Sequence, residues 1–105
     1  MEVFKLNKMT RGWFVGDFDP SLYKADFEVA VKRYKKGDID PLHCHKYSKE
    51  FTTIISGSAR VNDILLKKDD IIRIDENEYA NFECLSKCVT VVVRTKSIKG
   101  DKYCD

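Results

Sequence analysis

Both histidines of the chain, His43 and His45, fall within one stretch that also holds Gly37, Glu50 and Gly57. The spacing reads Gly-x5-His-x-His-x4-Glu-x6-Gly. On a β-strand, positions i and i+2 share a face, so His43 and His45 project together while Cys44 points the other way. Glu50, after a short turn through 46–49, is placed to open an antiparallel neighbour and bring a carboxylate beside the two imidazoles. Two imidazoles and a carboxylate are the ligand set of a hard-to-borderline divalent metal, and three protein ligands leave coordination positions open.

These spacings resemble the first motif of the cupin superfamily over its whole length, with Pro41 before the histidines and a hairpin after Gly57. The segment from Lys68 to Phe82 resembles the second motif in degraded form. Asp69 stands where that motif has glycine, Asp75 and Glu76 fall where proline is usual, and Ala80 occupies the place of its third metal-binding histidine. The resemblance spans about residues 27–95. It implies an all-β, double-stranded β-helix: a jelly-roll barrel with a metal pocket inside. It implies His43, His45 and Glu50 as ligands of a divalent ion (iron, manganese, nickel or zinc), because alanine has no donor atom to replace the missing histidine. Two functions follow from it. One is a metal-dependent enzyme of oxygenase or isomerase type acting on a small polar substrate. The other is a non-catalytic protein that binds a small molecule in a pocket whose metal site is reduced or lost.

Further candidates lie on the same strands. Thr52 and Ile54 share the face of Glu50 and would touch a ligand if they are not simply interior packing. Arg33 shares a face with Phe27, Val29 and Val31, and would turn a positive charge toward the pocket mouth to hold an anion. Asn81 would reach the pocket only if its strand slipped by one residue, which the pleat disfavours. No catalytic residue is assigned: with no third histidine, a proton carrier would be Tyr34, Tyr47, a lysine, a cysteine or water.

The elements that must position these groups are strands. Apolar and polar residues alternate with period two in 13–18, 27–31, 51–56, 59–61, 64–67, 71–74, 79–84 and 89–94, with turn residues between them. The one helical candidate is Asp19–Lys24, with aspartate as cap and proline at the first helical position. A chain of 105 residues leaves room for one domain, 1–105. Its formal charge of +2 is too small for a nucleic-acid binder that works by neutralising phosphates. No run approaches the ~18 apolar residues of a membrane span, and charges at Glu2, Lys5, Lys8 and Arg11 interrupt any signal-like segment, so a cytoplasmic protein is expected. Four cysteines without paired Cys-x-x-Cys spacing read as reduced and structural. Trp13 and Phe14, adjacent on one strand, would expose one ring unless something covers it, and a homodimer contact there is expected.

Overall fold

The computed structural model describes residues 1–104. Among them are nine strands: β1 (Trp13–Val15), β2 (Glu28–Tyr34), β3 (Ile39–His43), β4 (Glu50–Ser56), β5 (Ser58–Val61), β6 (Ile64–Lys67), β7 (Ile71–Ile74), β8 (Ala80–Cys84) and β9 (Cys88–Arg94). They form two antiparallel sheets, one ordered β1-β2-β9-β4-β7 and the other β3-β8-β5-β6. The strand ladders do not pass from one sheet into the other, so the expected closed barrel is instead a pair of separate sheets. No helix among the described residues is long and apolar enough to cross a membrane.

The helix expected over Asp19–Lys24 does not form. This segment is a loop that folds back on the end of β1, where the Leu22 N–H donates to the Phe14 carbonyl at 2.9 Å and the Gly16 N–H to the Tyr23 carbonyl at 3.1 Å. Those backbone groups are therefore spent on a neighbouring segment instead of on a helical ladder. The Asp19-Pro20 peptide is cis. The strand expected over 13–18 stops at Val15 for the same reason.

Two glycines are required by close approach. Gly57, at φ 81°, turns β4 into β5 with the Lys87 carbonyl where a β-carbon would stand. Gly12, at φ 82°, lets the chain before β1 lie against the Val31 carbonyl. Neither position has space for a side chain.

β2 and β9 pair over seven residues without a bulge, from Glu28 opposite Arg94 to Tyr34 opposite Cys88. β4 continues the rows on the other side of β9, with Glu50 opposite Arg94, Thr52 opposite Val92 and Ile54 opposite Thr90. Since side chains alternate between faces, the rows turned toward the second sheet are Glu28–Arg94–Glu50, Ala30–Val92–Thr52 and Lys32–Thr90–Ile54.

This reverses the reading of β2. Its inward face carries Glu28, Ala30, Lys32 and Tyr34, and Val29, Val31 and Arg33 face outward. Val31 is covered from outside by the N-terminal segment, whose Leu6, Met9 and Gly12 form a groove with it, and its N–H donates to the Gly12 carbonyl at 3.1 Å. Both faces of β2 are therefore partly buried, and the apolar one is not the inner one.

The apolar core fills one end of the space between the sheets: Ile54, Ala59, Val61, Leu66, Ala80, Cys84 and Cys88, with Tyr34, Ile72, Ile74 and Phe82 packed against it. The four cysteines are free, and Cys44, Cys84 and Cys88 are buried. Burial pushes the Cys84 thiol up to about 12 and that of Cys88 upward as well. Such thiols are poor nucleophiles.

Candidate ligand-binding site

The polar end of the same space is a cavity of about 360 Å³, lined from both sheets. His43 closes β3 directly opposite Ala80 of β8, so Ala80 does hold the place facing the histidines. The His43 Nδ1 lies 2.8 Å from the Pro41 carbonyl. A carbonyl can only accept, so Nδ1 carries a proton and donates it to Pro41.

His45 sits just past the strand, with its ring edge-on to that of His43 and the centroids 5.0 Å apart. Burial first, and then the Arg94 charge, push its imidazole down to about 4, with Glu50 opposing. It is neutral at pH 7. Its Nε2 is fully buried and has no hydrogen-bond partner among the described residues.

The loop holding His45 is pinned by residues far along the chain. Cys44 and Tyr103 exchange both backbone hydrogen bonds, at 2.9 and 3.0 Å. The buried Asp101 carboxylate accepts from the N–H groups of Lys46 (2.7 Å) and Tyr47 (3.2 Å). The Lys46 ammonium stands 4.1 Å over the Tyr103 ring.

Glu50 lines the cavity but is already engaged. Arg94 Nε donates to its Oε1 at 3.2 Å and the Thr52 hydroxyl to its Oε2 at 3.2 Å. The other edge of the guanidinium donates from Nη1 to Glu28 Oε1 at 3.0 Å, and the Ser97 hydroxyl holds Glu28 Oε2 at 2.9 Å. Arg94 also stands 4.8 Å from the centroid of the Trp13 ring. The arginine thus joins three strands and fixes an aromatic wall.

His43, His45, Glu50 and Thr52 are brought together in this cavity. Ile54 is not part of it: the side chain is fully buried in the apolar core. Arg33 does not reach it either. It is exposed on the outer face of β2, and the cation presented to the cavity is its neighbour Lys32. Asn81 reaches the rim, with its amide paired to Asn62. Tyr34 lines the wall with its phenol pushed well above the usual range by burial, and it holds its proton; Tyr47 is exposed and outside. Trp13 and Phe14, expected at a dimer contact, are both half-buried, and Trp13 is a wall of the protomer's own cavity.

The residues present do not fit a metal centre as they stand. Among the described residues no three His, Cys, Asp or Glu groups are placed to hold a metal ion. Two imidazoles face the cavity, but the carboxylate is paired with a guanidinium that a cation would have to displace, and Ala80 contributes no donor.

Sequence reasoning missed Lys32, Thr90 and Arg94. Each became visible only through strand register. The available signal was weak: an acidic and a basic residue, Glu28 and Lys32, interrupting the small-residue face of an otherwise apolar strand.

No family model and no curated protein matches the sequence at a significant level. Solved structures do match in shape. A Klebsiella pneumoniae protein with a double-stranded β-helix domain superposes with TM-score 0.68 at 21% identity, covering 93% of this chain and 87% of that one. A sugar phosphate isomerase of the cupin superfamily from Silicibacter pomeroyi gives 0.63 at 18% identity, over 70% of this chain and 53% of that one. A bacterial pirin from Escherichia coli, in complex with nickel(II), gives 0.70 at 13% identity, over 83% of this chain and 39% of that one. At these identities the likeness is one of fold. Two facing antiparallel sheets and these neighbours together establish that the chain has the double-stranded β-helix fold.

Proposed function

We propose that this cupin-fold chain binds a small polar molecule in the cavity between its sheets, without requiring a metal ion. One observation carries the reading. His45 Nε2 and Thr90 Oγ1, both on residues of the cavity wall, are buried with no hydrogen-bond partner among the described residues. A buried polar group left unsatisfied costs about 1–3 kcal/mol, and native proteins rarely keep one without a use. A ligand with matching polar atoms recovers that cost. The surrounding wall, with Tyr34, Val61, Phe82 and Val92, supplies the apolar enclosure such pockets have.

The test is a series of amide spectra of the full chain, recorded while small polyols, amides and carboxylates are added. The expected result is a compound whose shifts concentrate at His45, Thr52, Ala80 and Thr90, and which no longer binds after Ala80→Leu fills the cavity. Shifts scattered over the surface, or none from any compound, overturn the reading.

A second reading, a metal-dependent enzyme of oxygenase or isomerase type, is supported by the two adjacent imidazole rings and by the proton fixed on His43 Nδ1, the arrangement a metal-ligating imidazole needs. It requires Glu50 to leave Arg94. Calorimetric titration with iron(II), manganese, nickel or zinc decides it: micromolar binding lost in His43→Ala favours it, and no heat removes it. Self-association, expected at Trp13 and Phe14, is better supported on the outer face of the five-stranded sheet, where Phe51, Ile55 and Ile71 are exposed. A monomeric mass in sedimentation equilibrium overturns it.

A further inference from the structure

We propose that the ligand is an organic oxyanion whose charged group is held by the Lys32 ammonium and the Thr90 hydroxyl, with an apolar body against Tyr34, Phe82 and Val61. This rests on the reading of the cavity as a binding site and adds to it the chemical class of the ligand.

Lys32 and Thr90 are register partners on the inward face of β2 and β9, so their side chains stand side by side in the wall. Thr90 is completely buried and its hydroxyl has no hydrogen-bond partner among the described residues. Lys32 is half-buried, and no carboxylate lies within ion-pairing distance among the described residues. Its Nζ stands 4.8 Å from the centroid of the Trp13 ring. The other charges in the wall are mostly matched: Arg94 lies between Glu28 and Glu50, and Lys102 pairs with Asp40 at 3.2 Å. Arg11 also lines the cavity and has no ion pair among the described residues. Burial, with the charges of Arg11 and Arg94, holds the Lys32 amine down to about 8 against the weaker pull of Asp40 and Glu50.

A half-buried cation lining the cavity beside an unused hydroxyl lacks the groups an oxyanion supplies: negative charge for the ammonium and lone pairs for the O–H. Carboxylate and phosphate share this chemistry. The rest of the wall limits the ligand's body. Tyr34 and Phe82 pack with centroids 5.2 Å apart, and Val61 lies opposite Phe82 in the ladder, giving a continuous apolar surface on the core side.

Trp13, the sole tryptophan, sits under Lys32 and reports on the site by its fluorescence. Benzoate, its neutral isostere benzamide and inorganic phosphate are titrated into the full chain at pH 7, up to about 10 mM, where fragments of this size bind. The expected result is benzoate binding roughly tenfold to a hundredfold tighter than benzamide. Lys32→Met, which removes an unpaired charge and should fold well, brings benzoate down to the benzamide level, and Thr90→Val weakens benzoate severalfold. A phosphate response stronger than that of benzoate, and lost in Lys32→Met, supports the oxyanion site and identifies the group as phosphate. The stronger benzoate response identifies a carboxylate. Equal binding of benzoate and benzamide in both proteins overturns the inference and leaves the cavity reading standing. Silence from all three probes also overturns it, while the amide-shift screen, which does not depend on charge, decides the broader reading separately.

Discussion

Glu50 of β4 and Arg94 of β9 are direct register partners, and the Nε–H of the arginine donates to the carboxylate at 3.2 Å while its other edge holds Glu28. The carboxylate that the sequence spacing offers to a metal is thus committed to holding three strands and the Trp13 wall together. Replacing it with Glu50→Gln is expected to lower stability by about 1–3 kcal/mol in denaturant unfolding. In a double-mutant cycle with Arg94→Met the coupling is expected to reach at least about 1 kcal/mol. Additive effects would show that the pair contributes nothing.

Lys32 gives the opposite sign. Its amine is lowered from 10.5 to about 8 in the folded protein, by burial first and then by Arg11 and Arg94. The unfolded chain therefore binds the proton more tightly, and the folded state carries a penalty that is full below about pH 8 and vanishes as pH rises through 10.5. Lys32→Met is expected to melt higher than the parent at pH 7, with the difference shrinking to the packing contribution alone above pH 10.5. A lower melting point at pH 7 would mean that the ammonium has a partner in the folded state. Gain of stability with loss of ligand is the usual mark of a residue kept for binding.

Ala80 faces His43 across the β3–β8 ladder. Ala80→His would place a third imidazole beside those of His43 and His45, and is expected to create nickel or zinc binding in the micromolar range by calorimetry where the parent binds at least about tenfold more weakly. An unchanged titration would show that residue 80 does not reach the other rings.

Much of this was legible in the sequence, for reasons that particular residues make plain. Period two marks strands because one face of each is buried, and it located β5, β6 and β7 to the residue or nearly so. Motif spacing brought His43, His45 and Glu50 to one cavity, but not along a hairpin as expected: β3 pairs with β8 and β4 with β9 and β7, so the histidines and the carboxylate come from different sheets and meet across the space between them. The face of β2 was misread because Val31 is covered by the N-terminal segment, which hydropathy cannot distinguish from the core. Lys32, Thr90 and Arg94 meet only through the pairing of β2 with β9 and of β9 with β4, and no local pattern reveals such register. The loop over Asp19–Lys24 carries a proper cap and proline, but its hydrogen bonds go to β1.

Asp101 accepts from the Lys46 and Tyr47 amides. Asp101→Ala is expected to speed hydrogen exchange at those two amides by roughly tenfold or more, leaving the β2–β9 ladder unchanged. Equal acceleration in the ladder would mean that Asp101 supports the whole fold and not the site loop.

The tie between Asp101, Tyr103 and the segment 44–47 spans 55 positions for the Lys46 contact and joins a segment made early to one made after all nine strands. During synthesis both sheets have their full sequence before this clasp exists. A chain cut short after Arg94 would keep the sequence of all nine strands but lose this clasp, leaving the segment 44–47 without its partners at Asp101 and Tyr103.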